Sequence, residues 1–118
     1  MNWKILLLAI SMIESSGNPA AINKKENAIG LYQLRQIYID DVNRMHNTSY
    51  TLDDAWNPVI AEEIVKLYIS SWLDKRDLNY TYQNAARIHN GGPNGYKKDT
   101  TLYYWKKIKL ELERLNAL

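Results

Sequence analysis

The strongest constraint on this chain is the run Trp3–Ile13, WKILLLAISMI, apolar on nearly every helical direction and carrying one lysine. Crossing a bilayer takes about 20 apolar residues, so the run is too short to span. It ends in ESSGNP, which is not the small-residue cleavage site of an export signal. It is therefore read as a buried helix at the centre of a core, with the rest of the chain packed around it. Asn2 is a natural N-cap, Gly17 can adopt a left-handed C-cap, and Pro19 pushes Asn18 into an extended conformation. At 118 residues without cysteine, the chain is long enough for one core that needs no disulfide, and residues 1–118 are expected to form one domain.

Helical spacing organises the remainder of the chain. Leu34, Tyr38, Val42 and Met45 share one face of a helix predicted from Leu34 to Met45. Asn57 caps a third helix with Pro58 in its first turn; Ile60, Ile64, Leu67, Tyr68 and Trp72 form its apolar stripe, while Glu62 faces Lys66. A shorter helix is expected over Thr81–Asn90, closed by Gly91, Gly92 and Pro93. The last starts near Thr100 and turns Tyr104, Trp105, Ile108, Leu112 and Leu115 inward. Residues 15–29 read as a polar loop, as does the stretch before Asn57. A short strand could hide only at Asn79–Tyr82 or near Tyr50. The predicted class is all-α, about five helices around a buried first helix.

Composition removes several functions. Fifteen basic against thirteen acidic residues leave a net charge of +2, too small for binding driven by phosphate neutralisation. A helical nucleic-acid binder using Arg87 and the lysines is thus a weak rival. The two histidines, His46 and His89, lie far apart in sequence and there are no cysteines, so neither a metal nor another cofactor is expected.

Glu14 is the most informative single residue. One and two turns back on its helix stand Ile10 and Leu7, so a carboxyl group closes an apolar stripe. An apolar wall disfavours the charged form of a carboxyl group, the environment that general-acid catalysis uses. The plain alternative is a helix end pointing to water. Three more segments come later in the chain, in the order AIGLYQL (Ala28–Leu34), ARIHNGGPNG (Ala86–Gly95) and TLYYWKKI (Thr101–Ile108).

In order, spacing and content these segments resemble the lysozyme-like catalytic domain of soluble lytic transglycosylases, related to goose-type lysozymes, from about Ile5 to Ile108. ESSGNP is similar to that family's Glu-Ser-x-x-x-Pro segment. GLYQL is similar to its Gly-Leu-Met-Gln segment, with Tyr32 where methionine is usual. IHNGG resembles its Tyr-Asn-Ala-Gly segment, with His89 in the tyrosine position and Asn90 at the asparagine. Tyr104 matches a tyrosine that approaches the catalytic glutamate.

The resemblance implies cleavage of the β-1,4 bond between N-acetylmuramic acid and N-acetylglucosamine in peptidoglycan, with Glu14 as general acid and then base. A transglycosylase of this kind deprotonates the sugar's own 6-hydroxyl and leaves an anhydro end; a muramidase activates water. It also implies that Gln33 and Asn90 grip substrate amides and hydroxyls, that Tyr104 orients Glu14, and that Ser15, Ser16 and Gly30 shape the admitting loop. Each has a plainer reading: Gln33 capping the second helix, Asn90 ending the fourth, Tyr104 in the core, His89 a satisfied buried histidine. Glu26, with Asp40 and Asp41 behind it, is the candidate second carboxylate, or else a solvated loop charge beside Lys24 and Lys25.

Tyr32 and Tyr96, flanked by glycines, are expected to be exposed and able to stack on sugars. Lys97 and Lys98 read equally as a basic rim or as solvated surface charges, and Lys106, Lys107 and Lys109 as a solvated helix face. The expected partner is the glycan strand of peptidoglycan, met by a monomer that neither binds nucleic acid nor inserts in a membrane. No export segment is expected, which points to a phage lysin, a virion enzyme or a domain of a larger protein. A catalytically inactive glycan-binding module of the same fold is the main alternative function.

Overall fold

Asn2 caps the first helix as its residue type predicts, its side chain accepting the Ile5 amide at 3.2 Å, and α1 runs Trp3–Ser15 in a computed structural model that describes all residues 1–118. The exit comes one residue before the expected glycine. Ser16 is already left-handed at φ 54, followed by Gly17 at φ 76, and their amides return to Met12 O and Ser11 O at 3.1 and 3.2 Å. This double return satisfies carbonyls that the helix end would orphan. Leu6, Leu7, Ala9 and Ile10 are buried, but Leu8 is 48% exposed. The helix is therefore not wrapped on every side; it packs on α4 (Tyr82–Gly91) and α5 (Thr100–Arg114) and leaves one face to solvent.

The loop predicted over residues 15–29 contains the only sheet. β1 (Ile22–Asn23) pairs antiparallel with β2 (Ala28–Ile29), with Ile22 opposite Ile29 and Asn23 opposite Ala28. Strands of two residues have no periodicity to read. Local turn chemistry closes them: Asn23 Oδ1 accepts the Glu26 amide, and Asn27 takes a left-handed conformation. Neither Asn79–Tyr82 nor the Tyr50 region forms a strand. Near Tyr50 the Asn43 side chain holds the backbone from both sides, and a 3₁₀ turn, Leu52–Trp56, comes next.

The remaining helices match their predicted faces. α2 spans Gln36–His46, starting two residues after the predicted Leu34, which instead bridges to Ile29. α3 spans Pro58–Lys75; Asn57 accepts the Val59 and Ile60 amides, and Lys66 reaches Glu62 at 3.6 Å. Along α5, Tyr104, Ile108 and Leu112 are buried. α3 packs on α2 and α4, and α4 on α5, so α4 is the element touching most of the others. No helix is long and apolar enough to cross a membrane.

Candidate active site

A groove of about 590 Å³ opens beside the C-terminal end of α1. One rim is the β1–β2 segment, contributing Glu26 and Gln33. The other is the end of α4 and the turn after it, contributing Asn90, Gly92 and Lys98. Between them α2 supplies Arg35, Tyr38 and Asp41, α3 supplies Tyr68, and α4 supplies His89.

Glu14 reaches this groove from the last turn of α1. Its side chain is 21% exposed, covered on one side and open to the groove on the other. Tyr104 donates its hydroxyl to Glu14 Oε2 at 3.0 Å, and His89 Nε2 stands 3.2 Å from the same oxygen. Oε1 has no partner within the protein. Behind the pair, the Tyr38 hydroxyl and His89 Nδ1 are 2.9 Å apart. The Tyr38 ring stacks on Tyr68 with centroids 3.7 Å apart at 16°. Burial first, then the adjacent Glu14, holds the Tyr104 hydroxyl protonated well above the usual phenol range. Burial, then Tyr68 and Glu14, does the same for Tyr38. Both phenols therefore keep a proton to donate at any physiological pH.

Chemically, the arrangement can hold one carboxyl group in a fixed rotamer through one oxygen and present the other to whatever lies in the groove. That is the geometry a general acid needs: a fixed donor atom within reach of the bond to be protonated.

Of the residues singled out from the sequence, Glu14, Glu26, Gln33, His89 and Asn90 come together around the groove, with Tyr104 directly behind Glu14. Gln33 does not cap α2. Its backbone is left-handed, and its amide nitrogen donates to Ala21 O and Gly30 O at 3.2 and 3.0 Å, which leaves its amide oxygen for the groove. Asn90 lies within the last turn of α4 and is exposed on the groove side. Asp41 faces the groove while pairing with Arg44 at 3.1 Å; Asp40 is turned away and accepts from Gln36.

Three expectations need correction. Tyr32 is not exposed: at 5% exposure it belongs to the core, where burial, with Glu62 nearby, raises its hydroxyl to about 12. Tyr96 is partly buried and packs against that core. Ser15 and Gly30, expected to shape the admitting loop, are not among the groove's lining residues and hold that loop in place: Ser15 Oγ donates to Leu31 O at 2.7 Å, and Gly30, at φ 84, lies so close to Ala55 that an added Cβ would come 2.1 Å from its carbonyl oxygen. Arg87, the residue on which a nucleic-acid reading leaned, is buried and bonded to Thr101 and Lys98 O.

Tyr38, Tyr68 and Arg35 were not identified from the sequence as site residues. The two tyrosines fall on apolar helix faces and read as core. The one available signal is that a buried phenol needs a hydrogen-bond partner, which a helix face of leucines cannot supply.

Comparison with known proteins identifies the family. Residues 1–112 match the model of the transglycosylase SLT domain. The chain is 32% identical over 80 residues to a lysozyme of Ostrea edulis, an alignment covering 68% of this chain and 57% of that protein. It is 31% identical over 113 residues to invertebrate-type lysozyme 6 of Caenorhabditis elegans, covering 87% and 82%. The chain thus spans little more than half the length of its oyster relatives. Among solved structures, Tapes japonica lysozyme superposes with a TM-score of 0.78 at 23% identity, covering 90% of this chain and 87% of that one. An inhibitor-bound lysozyme from Meretrix lusoria gives 0.78 at 25%, covering 91% and 88%. The chain belongs to the SLT transglycosylase domain family, with invertebrate-type lysozymes among its relatives.

Proposed function

We propose that this chain cleaves the β-1,4 bond between N-acetylmuramic acid and N-acetylglucosamine in peptidoglycan, outside the cytoplasm, with Glu14 as general acid. The observation that carries this is the asymmetry of the Glu14 carboxyl group: Oε2 takes Tyr104 at 3.0 Å and faces His89 at 3.2 Å, while Oε1 is left to the groove. With the Tyr104 hydroxyl donating to Oε2, the acidic proton resides on Oε1. It passes to the glycosidic oxygen as the bond from that oxygen to the sugar C1 breaks, and the leaving sugar departs as an alcohol. Positive charge develops at C1 and is met by the carboxylate that Glu14 has become.

The second step needs a nucleophile at C1. Either water or the sugar's own 6-hydroxyl supplies the new oxygen bond and gives its proton to a carboxylate. Glu26 on the hairpin rim is the candidate second carboxylate for the water route, and Glu14 alone suffices for the internal one. The Gln33 amide oxygen and the Asn90 side chain, both at the groove, suit the N-acetyl and hydroxyl groups of a glycan. Arg35 and Lys98 suit the carboxylates of the attached peptides.

Digestion of purified peptidoglycan, read by mass spectrometry, tests the assignment. Glu14→Gln should lower the rate by about 100-fold or more, because an amide cannot donate the proton, with the melting temperature nearly unchanged. Anhydro ends identify the internal route and reducing ends the water route. A wild-type protein that binds the polymer but releases nothing would make the chain a binding module.

A further inference from the structure

The effect of His89 on Glu14 depends on which ring nitrogen carries the proton. A neutral imidazole donates from one nitrogen and accepts at the other. With the proton on Nε2, the ring turns a positive edge toward Glu14 Oε2, 3.2 Å away. With the proton on Nδ1, it turns a lone pair toward that oxygen and repels a carboxylate there.

The choice is made on the far side of the ring. Tyr38 Oη lies 2.9 Å from Nδ1, both residues are buried, and no other protein group bonds to that hydroxyl. If Nδ1 carried the proton, Tyr38 would have to accept it, and its own hydrogen would have no protein acceptor. An unmet buried donor costs about 1–3 kcal/mol, enough to bias a tautomer strongly. The phenol cannot escape by ionising, since burial and the neighbouring Tyr68 and Glu14 keep it protonated. Nor can its ring swing away easily: it is stacked on Tyr68 at 3.7 Å and meets His89 edge-on at 5.4 Å.

The geometry points to Tyr38 as a positioning residue: by donating to His89 Nδ1 it holds the imidazole in its Nε2–H form and so keeps a second hydrogen-bond donor on Glu14 Oε2. The acid proton is thereby confined to Oε1, the oxygen open to the groove. The consequence for catalysis rests on the proposed glycosidase activity; the tautomer itself does not. Tyr104 and Tyr38 then act on Glu14 in parallel, one directly and one through a ring.

Nitrogen-15 NMR of the histidine ring in the full chain tests this, at a pH of ~8, above the ordinary imidazole range. The expected wild-type spectrum has Nε2 protonated and Nδ1 bare, with Nδ1 shifted by an accepted hydrogen bond. Tyr38→Phe keeps the stacked ring and removes only the hydroxyl. It should abolish that Nδ1 shift, redistribute the tautomers, and lower kcat about tenfold, the scale of one lost hydrogen bond, with KM within about twofold. A wild-type spectrum with Nδ1 protonated overturns the proposal without any variant. So does a folded Tyr38→Phe protein with unchanged tautomer and unchanged kcat. A wild type that is inert on peptidoglycan but has the Nε2–H tautomer sinks the glycosidase reading alone, since the spectrum then stands while the activity does not.

Discussion

The two rims of the groove are both turn-rich, glycine-bearing connections between helices, yet different forces hold them. The rim over residues 16–34 is mostly a main-chain construction. Ile29 and Leu34 exchange hydrogen bonds at 3.0 and 2.9 Å, and the Gly30 amide donates to Ala21 O at 2.9 Å. Ser15 and Gln33 add side-chain ties to backbone carbonyls. The rim over residues 91–100 has short backbone turns, from Gly95 N to Gly92 O and from Lys98 N to Gly95 O, but no strand pairing; side chains tie it down, with Arg76 donating to Pro93 O, Lys98 to Gly91 O, and Arg87 and Thr101 holding it from beneath. Arg87 donates through Nε to Thr101 Oγ1 and through another nitrogen to Lys98 O, each at 2.9 Å, while Thr101 Oγ1 donates to Gly95 O at 2.6 Å. Arg87 has no acidic partner; carbonyl and hydroxyl oxygens alone balance its charge. Backbone bonds make the first rim tolerant of single side-chain losses, whereas the second leans more on side chains, with Arg87 and Thr101 at its buried base.

That contrast can be broken at its strongest point, where the hairpin rim touches the 3₁₀ turn. Gly30→Ala sets a Cβ 2.1 Å from the Ala55 carbonyl oxygen at a φ of +84. Left-handed strain and overpacking together should cost about 3 kcal/mol or more, read by urea unfolding. A loss below about 1 kcal/mol would show that this rim is not locked there. Thr101→Val is next: it leaves Arg87 and Gly95 O without their shared partner and should cost about 2 kcal/mol. Hydrogen exchange should quicken at amides of residues 91–100 and stay unchanged at Ile29 and Leu34; loosening of both rims would refute their independence.

Ser15→Ala should cost only about 1 kcal/mol, since one tie among several is lost. A larger drop in thermal stability would mean that this rim, too, leans on single side chains. The last effect is absent at neutral pH. Tyr38 and Tyr104 beneath the groove, and Tyr32 behind the hairpin rim at about 12, hold their protons more tightly folded than unfolded. Their contribution to stability is whole below the ordinary phenol value of ~10 and is lost as pH rises through the folded values. Denaturant midpoints flat from neutrality to that value and falling beyond it are expected; a midpoint that rises there would reverse the sign.

Much of the fold was legible because its cues are local. Asn2, Asn57 and Thr81 cap the helices they precede, and helix faces spaced at 3.6 residues name their own buried side. The misreadings are also local in origin. Ser16 stands in a conformation that a glycine was expected to take, and a hairpin of two-residue strands leaves no pattern. The site was legible only as a set of segments: Glu14, Gln33, His89, Asn90 and Tyr104 stand out by residue type and order, but their distances are set by the packing of α1, α4 and α5.

Two tyrosines mark the boundary between what the chain states in sequence and what packing settles. Tyr32, two residues after Gly30 in a turn, reads as an exposed sugar platform, and Tyr38, on an apolar helix face, reads as core. In the folded protein Tyr32 is core, and Tyr38 is core as its face predicts but also meets the groove and His89. Sequence alone determined five helices, their inward faces and a carboxyl group at the end of the first, because caps, periodicity and turn residues act within a few positions. Only the tertiary structure decided where an inward face is interrupted by a groove and which hydroxyl finds which nitrogen. Those contacts join residues 51 and 90 positions apart, and no local energy term specifies them.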